Sequence, residues 1–254
     1  MLNGARLEAK PVAQLTQQMK TENQEFLRSD AYGMQEAQLF MRTKAGEKQI
    51  GWKMGLTSEA KRRQMNLDSP LYGFLTDQMK VESGSTFSLQ GKIHPKIEPE
   101  IAFLIGQDLS APVSREQVLG ACTAVCACME ILDSRYQQFK YFSMEDVIAD
   151  NSSSSNFVMG PWKKDFNSLD LTNLDMNMKV NGESSQKGNS RDISGDPVIS
   201  VIQLCELLAE RKQILKAGSI VLAGAATPAV ELKAGMQVEL LVEGLEPVTV
   251  KVSN

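Results

Sequence analysis

The stretch KIEPEIAFLIG, residues 96 to 106, decides how this chain folds. Read with the period of a β-strand, one face carries Ile97, Pro99, Ile101 and Phe103, and the other carries Glu98, Glu100, Ala102 and Leu104. The second face changes from acidic to apolar within two residues. A solvated strand face would stay polar along its length, so the pattern predicts that both carboxylates lie at the edge of a covered site.

Composition excludes several classes of function. Hydrophobic residues make up 42% of the 254 residues and charged residues 23%, which is typical of globular proteins. The net charge of -4 gives no electrostatic reason to expect nucleic acid or an anionic membrane as a partner. Apolar runs such as residues 118 to 132 are too short to span a bilayer, and the N-terminus lacks the apolar segment of a secretory signal, so we expect a cytoplasmic protein.

The first fifty residues have the pattern of a small helical region. PVAQLTQQM predicts a helix that starts at Pro11, and residues 29 to 46 predict a second, capped by Ser29 or Asp30 and stopped by Gly46. A strand follows in QIGWKMGLTS, where Lys53 projects from a face otherwise made of glycine. Glycines inside a strand commonly mark close approach of a ligand, although an exposed lysine on an edge strand would give the same pattern.

The rest of the chain is predicted to be rich in strands. We divide it into an N-terminal region, residues 1–80, and a β-rich domain, residues 81–254. Predicted elements after residue 81 are the strands GSTFSL and KIEPEIAFLI, a helix over 115–127, the short strand MEILD, a polar loop over 181–197, a helix over 197–215, and the strands GSIVLAGAA, GMQVELLVE and PVTVKVS.

The cysteines do not indicate a disulfide framework or a zinc site. Three of the four, Cys122, Cys126 and Cys128, crowd the predicted helix, and there is no paired C-x-x-C. His94 is the only histidine. The pattern favours cysteines that act as small buried hydrophobic residues over zinc ligands.

Glu130 adds a third acid inside the apolar run CACMEILD. Three carboxylates in a partly dry site repel one another, so either their pKa values rise or a cation neutralises them. Oxygen ligands suit Mg²⁺ or Mn²⁺ better than zinc or copper. From the periodicity alone, a metal site competes with the simpler interpretation of a solvated acidic edge.

Four motifs together resemble the hydratase/decarboxylase group of the fumarylacetoacetate hydrolase superfamily, which acts in meta-cleavage degradation of aromatic compounds. They are HPKIEPEIAF at 94–103, MEILDSRYQQFK at 129–140, VIADNSSSSNFVMG at 147–160 and GWKMGLTS at 51–58, and the resemblance covers nearly the whole chain. It implies an α+β fold in which a mixed β-roll or distorted barrel follows a small helical N-terminal region. It also implies that Glu98, Glu100 and Glu130 bind Mg²⁺, with Mn²⁺ as the alternative, and that Lys53 reaches the substrate.

The resemblance further implies residues that contact the substrate. Asn151 and Ser153 would lie near it, although such a polar turn also caps backbone groups. Arg135 would pair with a substrate carboxylate or, alternatively, with Asp133. Thr227 would be a further contact, although the family has Gly-Gly-Ile-Thr where this chain has Gly-Ala-Ala-Thr at 224–227.

Leu71 separates two sister activities. Hydratases of the family carry aspartate before the Tyr-Gly pair, where this chain has Leu71, which cannot transfer protons. The resemblance therefore implies metal-dependent decarboxylation of 2-oxo-3-hexenedioate to 2-hydroxypenta-2,4-dienoate and CO₂. Hydration of 2-hydroxypenta-2,4-dienoate is the alternative. An acylpyruvate-type hydrolase using His94 and a non-catalytic partner subunit of the hydratase are further alternatives.

The expected partners follow from the same resemblance. We expect a small 2-oxo dicarboxylate as substrate, self-association into a homo-oligomer, and a complex with the hydratase of the same route. Neither nucleic acid nor membrane is expected as a partner.

Overall fold

The computed structural model describes residues 1–58, 62, 67, 69–139 and 143–254. The helices of this part are α1 Leu2–Glu8, α2 Leu15–Thr21, α3 Arg28–Lys44, α4 Arg115–Ala121, α5 Met144–Ala149 and α6 Pro197–Glu210. Single 3₁₀ turns cover Asp77–Met79, Asn151–Ser153, Phe166–Ser168 and Ser190–Asp192. None of the helices in the described ranges is both long and apolar enough to cross a bilayer.

The strands form two sheets. They are β1 Gln49–Gly55, β2 Leu71–Thr76, β3 Lys80–Glu82, β4 Thr86–Ser88, β5 Lys96–Ile105, β6 Cys122–Leu132, β7 Ser154–Met159, β8 Asp175–Val180, β9 Glu183–Asn189, β10 Ile220–Leu222, β11 Val230–Glu231, β12 Gln237–Val242 and β13 Val248–Ser253. Within the described ranges, the larger sheet has the order β2-β1-β10-β5-β6-β7-β3, with β11 beside β5, and the smaller has the order β4-β13-β12-β8-β9. Parallel and antiparallel pairs occur in both sheets. The predicted α+β fold, with helices at the N-terminus and a curled mixed sheet, is confirmed.

The register of the larger sheet assembles one polar face. Glu98 of β5 lies opposite Glu130 of β6. Lys53 of β1 pairs with Leu222 of β10, which pairs with Ala102 of β5. Because residues directly opposite one another share a sheet face, Lys53 lies on the same face as the even-numbered residues of β5.

The other face of β5 packs into the main hydrophobic core. Ile97, Ile101 and Phe103 are fully buried there. The apolar face of α6 contributes Val201, Leu204, Leu208 and their neighbours to the same core. The acidic strand is thus anchored by its odd-numbered residues, which leaves the even-numbered ones to form a site.

The predicted helix over 115–127 with its cysteines is wrong beyond residue 121. Helix α4 ends at Ala121, and Cys122, Cys126 and Cys128 lie on β6, all buried and free. Strand β6 is buried on nearly its whole length, so its sequence lacks the alternation that separates a strand from a buried helix. The short strand MEILD is the end of this longer strand.

Three smaller predictions are also corrected. Helix α2 begins at Leu15 rather than Pro11, because Val12 pairs with Tyr136 as a β-bridge. Helix α3 has Leu27 as its N-cap, and the Asp30 carboxylate accepts a hydrogen bond from the Leu27 N–H at 3.0 Å. Helix α6 ends at Glu210, five residues before the predicted end.

The polar segment predicted as a loop over 181–197 contains strand β9. Its residues are almost all polar and lie at an exposed edge of the smaller sheet. The apolar alternation that signals a strand is absent there because neither face is buried. The larger sheet combines strands from both sides of residue 80, and the division of the chain at that residue stays a prediction.

Candidate active site

Glu98, Glu100 and Glu130 converge on one point. One carboxylate oxygen from each lies within 4.8 Å of the others. Glu100 and Glu130 have no exposed surface, and Glu98 is partly exposed. The predicted placement of the two strand carboxylates at the edge of a covered site is confirmed.

Glu100 has one hydrogen bond to the described residues. Its Oε2 accepts a hydrogen bond from the Gly224 N–H at 2.8 Å, whereas its buried Oε1 has no hydrogen-bond partner among the described residues. Burial raises the pKa of Glu100 well above its usual range, and the charges of Glu130 and Glu98 raise it further. A hard cation would satisfy the free oxygen and remove the repulsion, so this donor set fits Mg²⁺ or Mn²⁺.

Gly224 supplies its N–H from a position that requires glycine. Its φ is +107°, and a Cβ there would lie 2.4 Å from the Thr57 hydroxyl oxygen. A side chain would therefore push the 224 backbone away from Glu100.

Glu130 has two polar neighbours. The Ser154 hydroxyl donates to Oε1 at 2.6 Å, and the Lys53 Nζ lies 2.8 Å from Oε2. Oε2 accepts no hydrogen bond of good geometry from the part of the chain described, so the lysine contact is an ion pair. The directed hydrogen bonds of Nζ go to the Ser152 carbonyl at 3.2 Å and the Ser152 hydroxyl at 3.0 Å.

The carboxylates around Lys53 favour its charged form. Its burial, which is almost complete, is the largest influence and lowers the pKa, but the attraction of Glu130, Glu98 and Glu100 together outweighs it and the pKa is raised. The buried ammonium therefore offsets part of the negative charge of the cluster.

The turn that meets Lys53 has an unusual backbone. Asn151, Ser152 and Ser153 have φ of 51°, 53° and 57°, a run of left-handed residues without glycine. Each such residue costs about 1 kcal/mol or more, so the surroundings must hold the turn. The Asn151 side chain does so from β2: its Oδ1 accepts from the Phe74 N–H at 2.8 Å, and its Nδ2 donates to the Phe74 carbonyl at 3.1 Å.

Arg135 stabilises the same turn through hydrogen bonds to the residues on either side of it. Its Nε donates to the Asp150 carboxylate at 2.5 Å, and its Nη1 donates to the backbone carbonyls of Asp133 and Ser154 at 2.7 and 3.0 Å. Nη2 donates to the Asp150 carbonyl. The guanidinium is buried and does not line the cavity. Its ion-pair partner is Asp150, not the Asp133 carboxylate.

A cavity of about 250 Å³ opens beside the cluster. Its polar lining includes Lys53, Ser152, Glu98 and Lys96. Apolar lining comes from Leu56, Leu132, Phe139, Val147 and Pro228, among others. The space is suited to a small ligand with a charged end and an apolar body.

Of the residues predicted at the site, Lys53 and Glu98 belong to the described cavity lining, whereas Glu100, Glu130 and Arg135, described above, and four further residues do not. Leu71 is fully buried beneath Gly55, where a Cβ would come within 2.8 Å of its side chain. The Thr227 hydroxyl lies 3.3 Å from the Pro228 carbonyl, and the Ser153 hydroxyl donates to Asp150 at 3.2 Å. With Asn151 bound to β2, these residues support the cavity wall, and direct contact with substrate stays a prediction for each.

Sequence reasoning missed Ser152 and Ser154. Both belong to the four-serine run, which carries no periodic signal. The left-handed turn decides which serine hydrogen-bonds to Lys53 and which to Glu130. A left-handed conformation cannot be predicted from residues other than glycine, because such residues rarely adopt it.

His94 has structural partners. Its Nε2 lies 3.1 Å from the Tyr136 carbonyl, and its backbone N–H donates to the Asp133 carboxylate at 2.6 Å. It is not among the residues that line the cavity. A role as the base of a hydrolase has no support from this geometry.

Comparison with known proteins places this architecture among studied enzymes. Residues 43–253 match the family described as fumarylacetoacetate (FAA) hydrolase, C-terminal. The chain is 44% identical over 204 residues to a 4-oxalocrotonate decarboxylase of Pseudomonas sp, covering 80% of this chain and 78% of that one. It is 38% identical over 219 residues to a 2-hydroxyhexa-2,4-dienoate hydratase of Comamonas testosteroni, covering 85% and 83%.

A solved structure extends the similarity to three dimensions. The 4-oxalocrotonate decarboxylase of Pseudomonas putida G7, complexed with magnesium and adipate, superimposes with a TM-score of 0.92 at 35% identity. The match covers 99% of this chain and 94% of that one. The whole fold, including the carboxylate-bearing strands, is therefore shared with that enzyme.

Proposed function

Since this chain belongs to the fumarylacetoacetate hydrolase family, in the decarboxylase and hydratase branch that serves meta-cleavage catabolism, we propose that it decarboxylates 2-oxo-3-hexenedioate. The products are 2-hydroxypenta-2,4-dienoate and CO₂. The observation that carries the proposal is the cluster of Glu98, Glu100 and Glu130, in which Glu100 and Glu130 are fully buried and Glu100 has an unsatisfied oxygen, beside the buried Lys53.

The three glutamates are proposed to hold Mg²⁺, or Mn²⁺ in its place. When bound, this ion supplies a Lewis acid for the substrate's 2-oxo acid end. The glutamates themselves fix its position from two adjacent strands, and the Gly224 N–H and the Ser154 hydroxyl orient two of them.

Lys53 is proposed to orient the substrate and stabilise negative charge. As the C5–C6 bond breaks, its electron pair moves into the conjugated system and onto the C2 oxygen, while C6 leaves as CO₂; the dienolate then takes one proton from solvent at the C2 oxygen to give the 2-hydroxy product. A fixed ammonium near that oxygen favours the dienolate, because it needs no reorganisation when the charge develops. Ser152 and Glu130 hold Nζ in place for this role.

Leu71 favours decarboxylation over hydration. The hydratases of the family carry aspartate at this position, and here the side chain beneath Gly55 is apolar. Addition of water needs a group that transfers a proton, which leucine cannot provide. Leu71 lies beneath the lining residue Gly55, and apolar surroundings of this kind favour a step in which a carboxylate loses its charge.

Hydration of 2-hydroxypenta-2,4-dienoate is the second candidate, supported by the similarity to the Comamonas hydratase. A non-catalytic subunit is a third. A homo-oligomer and a complex with the hydratase are further proposals for this chain. Titration with Mg²⁺ separates an enzyme from a subunit without a metal site.

One assay tests the proposal. Purified protein with Mg²⁺ is given 2-oxo-3-hexenedioate and, separately, 2-hydroxypenta-2,4-dienoate, and CO₂ release and loss of the dienoate are measured. We expect CO₂ from the first and slow turnover of the second. Glu98→Gln should lose activity, whereas Glu116→Gln, on the exposed side of α4, should keep it. Rapid hydration without CO₂ would make the protein a hydratase.

A further inference from the structure

We propose that Lys96 binds the second carboxylate of a dicarboxylate ligand and so selects dicarboxylates over monocarboxylates. This inference rests on the proposed function, because it assumes that the first carboxylate is held at the glutamate cluster. It adds a residue to the site that is neither a metal ligand nor part of the group around Lys53.

The position of Lys96 follows from the alternation of β5. Lys96, Glu98 and Glu100 are alternate residues of one strand, so they point to one face, about 6.5 to 7 Å apart along it. Lys96 lies at the outer end of this row and lines the same cavity as Glu98. A cation therefore stands one step outside the carboxylate cluster.

The ammonium of Lys96 is placed by an aromatic ring. Its Nζ lies 4.2 Å from the centroid of the Phe139 ring, which also lines the cavity. Among the described residues, this ammonium forms no ion pair. A cation–π contact restricts the side chain while leaving its hydrogens available to an anion.

The other lysine of the lining is already engaged. Lys53 contacts Glu130 and donates to Ser152, deep in the cavity. A six-carbon chain bound at the cluster through its 2-oxo acid end extends past the apolar wall of Leu132 and Val147. Its far carboxylate then reaches the mouth, where Lys96 is the available cation of the described lining.

The reaction sets which kinetic parameter Lys96 affects. The far carboxylate is the one that departs as CO₂, and it loses its charge during that step. An ion pair with Lys96 is therefore stronger in the bound substrate than in the transition state. Lys96 should lower KM for the dicarboxylate without raising kcat.

Two unreactive keto acids test the inference by binding alone. 2-Oxoadipate and 2-oxohexanoate share the metal-chelating end and chain length, and they differ in a terminal carboxylate against a methyl group. Calorimetric titration with Mg²⁺-loaded protein should show that wild type prefers 2-oxoadipate. Lys96→Gln should reduce this preference about tenfold, while Lys96→Arg and the exposed control Lys251→Gln should retain it.

The outcomes separate this inference from the proposed function. An unchanged preference in Lys96→Gln, or a wild type that does not prefer 2-oxoadipate, overturns the assignment of Lys96. The absence of CO₂ release from 2-oxo-3-hexenedioate overturns the proposed function and leaves the binding ratio measurable. Lys96 is partly exposed, so we expect Lys96→Gln to fold, and Lys96→Arg tests the charge independently.

Discussion

The glutamate cluster and the Arg135–Asp150 pair both contain fully buried charged groups, but these charges are balanced differently. The cluster brings three carboxylates together with one lysine, and Glu100 keeps an oxygen without a partner in the described chain. The pair matches one cation with one anion, and all three guanidinium nitrogens donate hydrogen bonds to oxygen atoms.

The difference indicates two kinds of buried polar group. Burial raises the pKa of Asp150 to about 6 even beside Arg135, so the pair is costly to desolvate. Its role is to fix the backbone conformation of the adjacent turn. In this left-handed turn, the Ser152 carbonyl accepts a hydrogen bond from Lys53. The cluster is instead incomplete by itself, which is expected where the fold prepares a site for a ligand.

The largest expected effect comes from breaking the pair. Arg135→Met should lower the free energy of unfolding by about 3–5 kcal/mol, because it leaves a buried carboxylate and three carbonyl groups without their donor. Denaturant unfolding measures this loss. Arg135→Lys keeps the charge and should lose less. Equal stability of Arg135→Met and wild type would refute the role of the pair.

The pH dependence of this loss has a defined sign. The folded-state pKa of Asp150 is raised from 3.8 to about 6, so its contribution to stability is present at low pH and falls as the pH rises through that interval. Without Arg135 the pKa should rise further. The destabilisation by Arg135→Met should therefore be smaller at pH 5 than at pH 7.5.

The second largest effect concerns Mg²⁺ binding at the glutamate cluster. Wild type should gain about 2.7 kcal/mol of stability when Mg²⁺ is present at a hundred times its Kd. Glu100→Gln should lose this gain, because it removes a metal ligand. It should be as stable as wild type without metal, since the amide keeps an acceptor for Gly224 and removes repulsion. Thermal unfolding at several Mg²⁺ concentrations measures both, and an unaltered Mg²⁺ response would contradict the metal site.

The smallest effect concerns the hydrogen bond that orients Glu130, one of the proposed metal ligands. Ser154→Ala removes the hydroxyl that orients Glu130 and should weaken Mg²⁺ binding about tenfold to a hundredfold. Ser155→Ala is the matched control, because the Ser155 hydroxyl contacts Lys92 and Asn156 instead. Calorimetric titration of Mg²⁺ compares them. The same Kd in both variants would show that Ser154 does not support the site.

Some of this site was predictable from local pattern. The alternation of β5 assigned Glu98 and Glu100 to one face, and the alternation of apolar residues around Lys53 correctly predicted its strand. The pattern failed on β6, where burial of both faces hides the period, and on β9, where exposure of both faces does the same. Periodicity reports a boundary between core and solvent, so it is silent where no such boundary crosses the element.

The sequence by itself determined which side chains share a face of one strand, because that depends only on the two-residue repeat of the extended chain. The tertiary structure decided everything that joins separate segments. It placed Glu130 opposite Glu98, set Lys53 against Glu130, and held the left-handed turn that turns Ser152 toward Lys53. Strand register and a strained turn depend on contacts distant in sequence, and local preference does not contain that information.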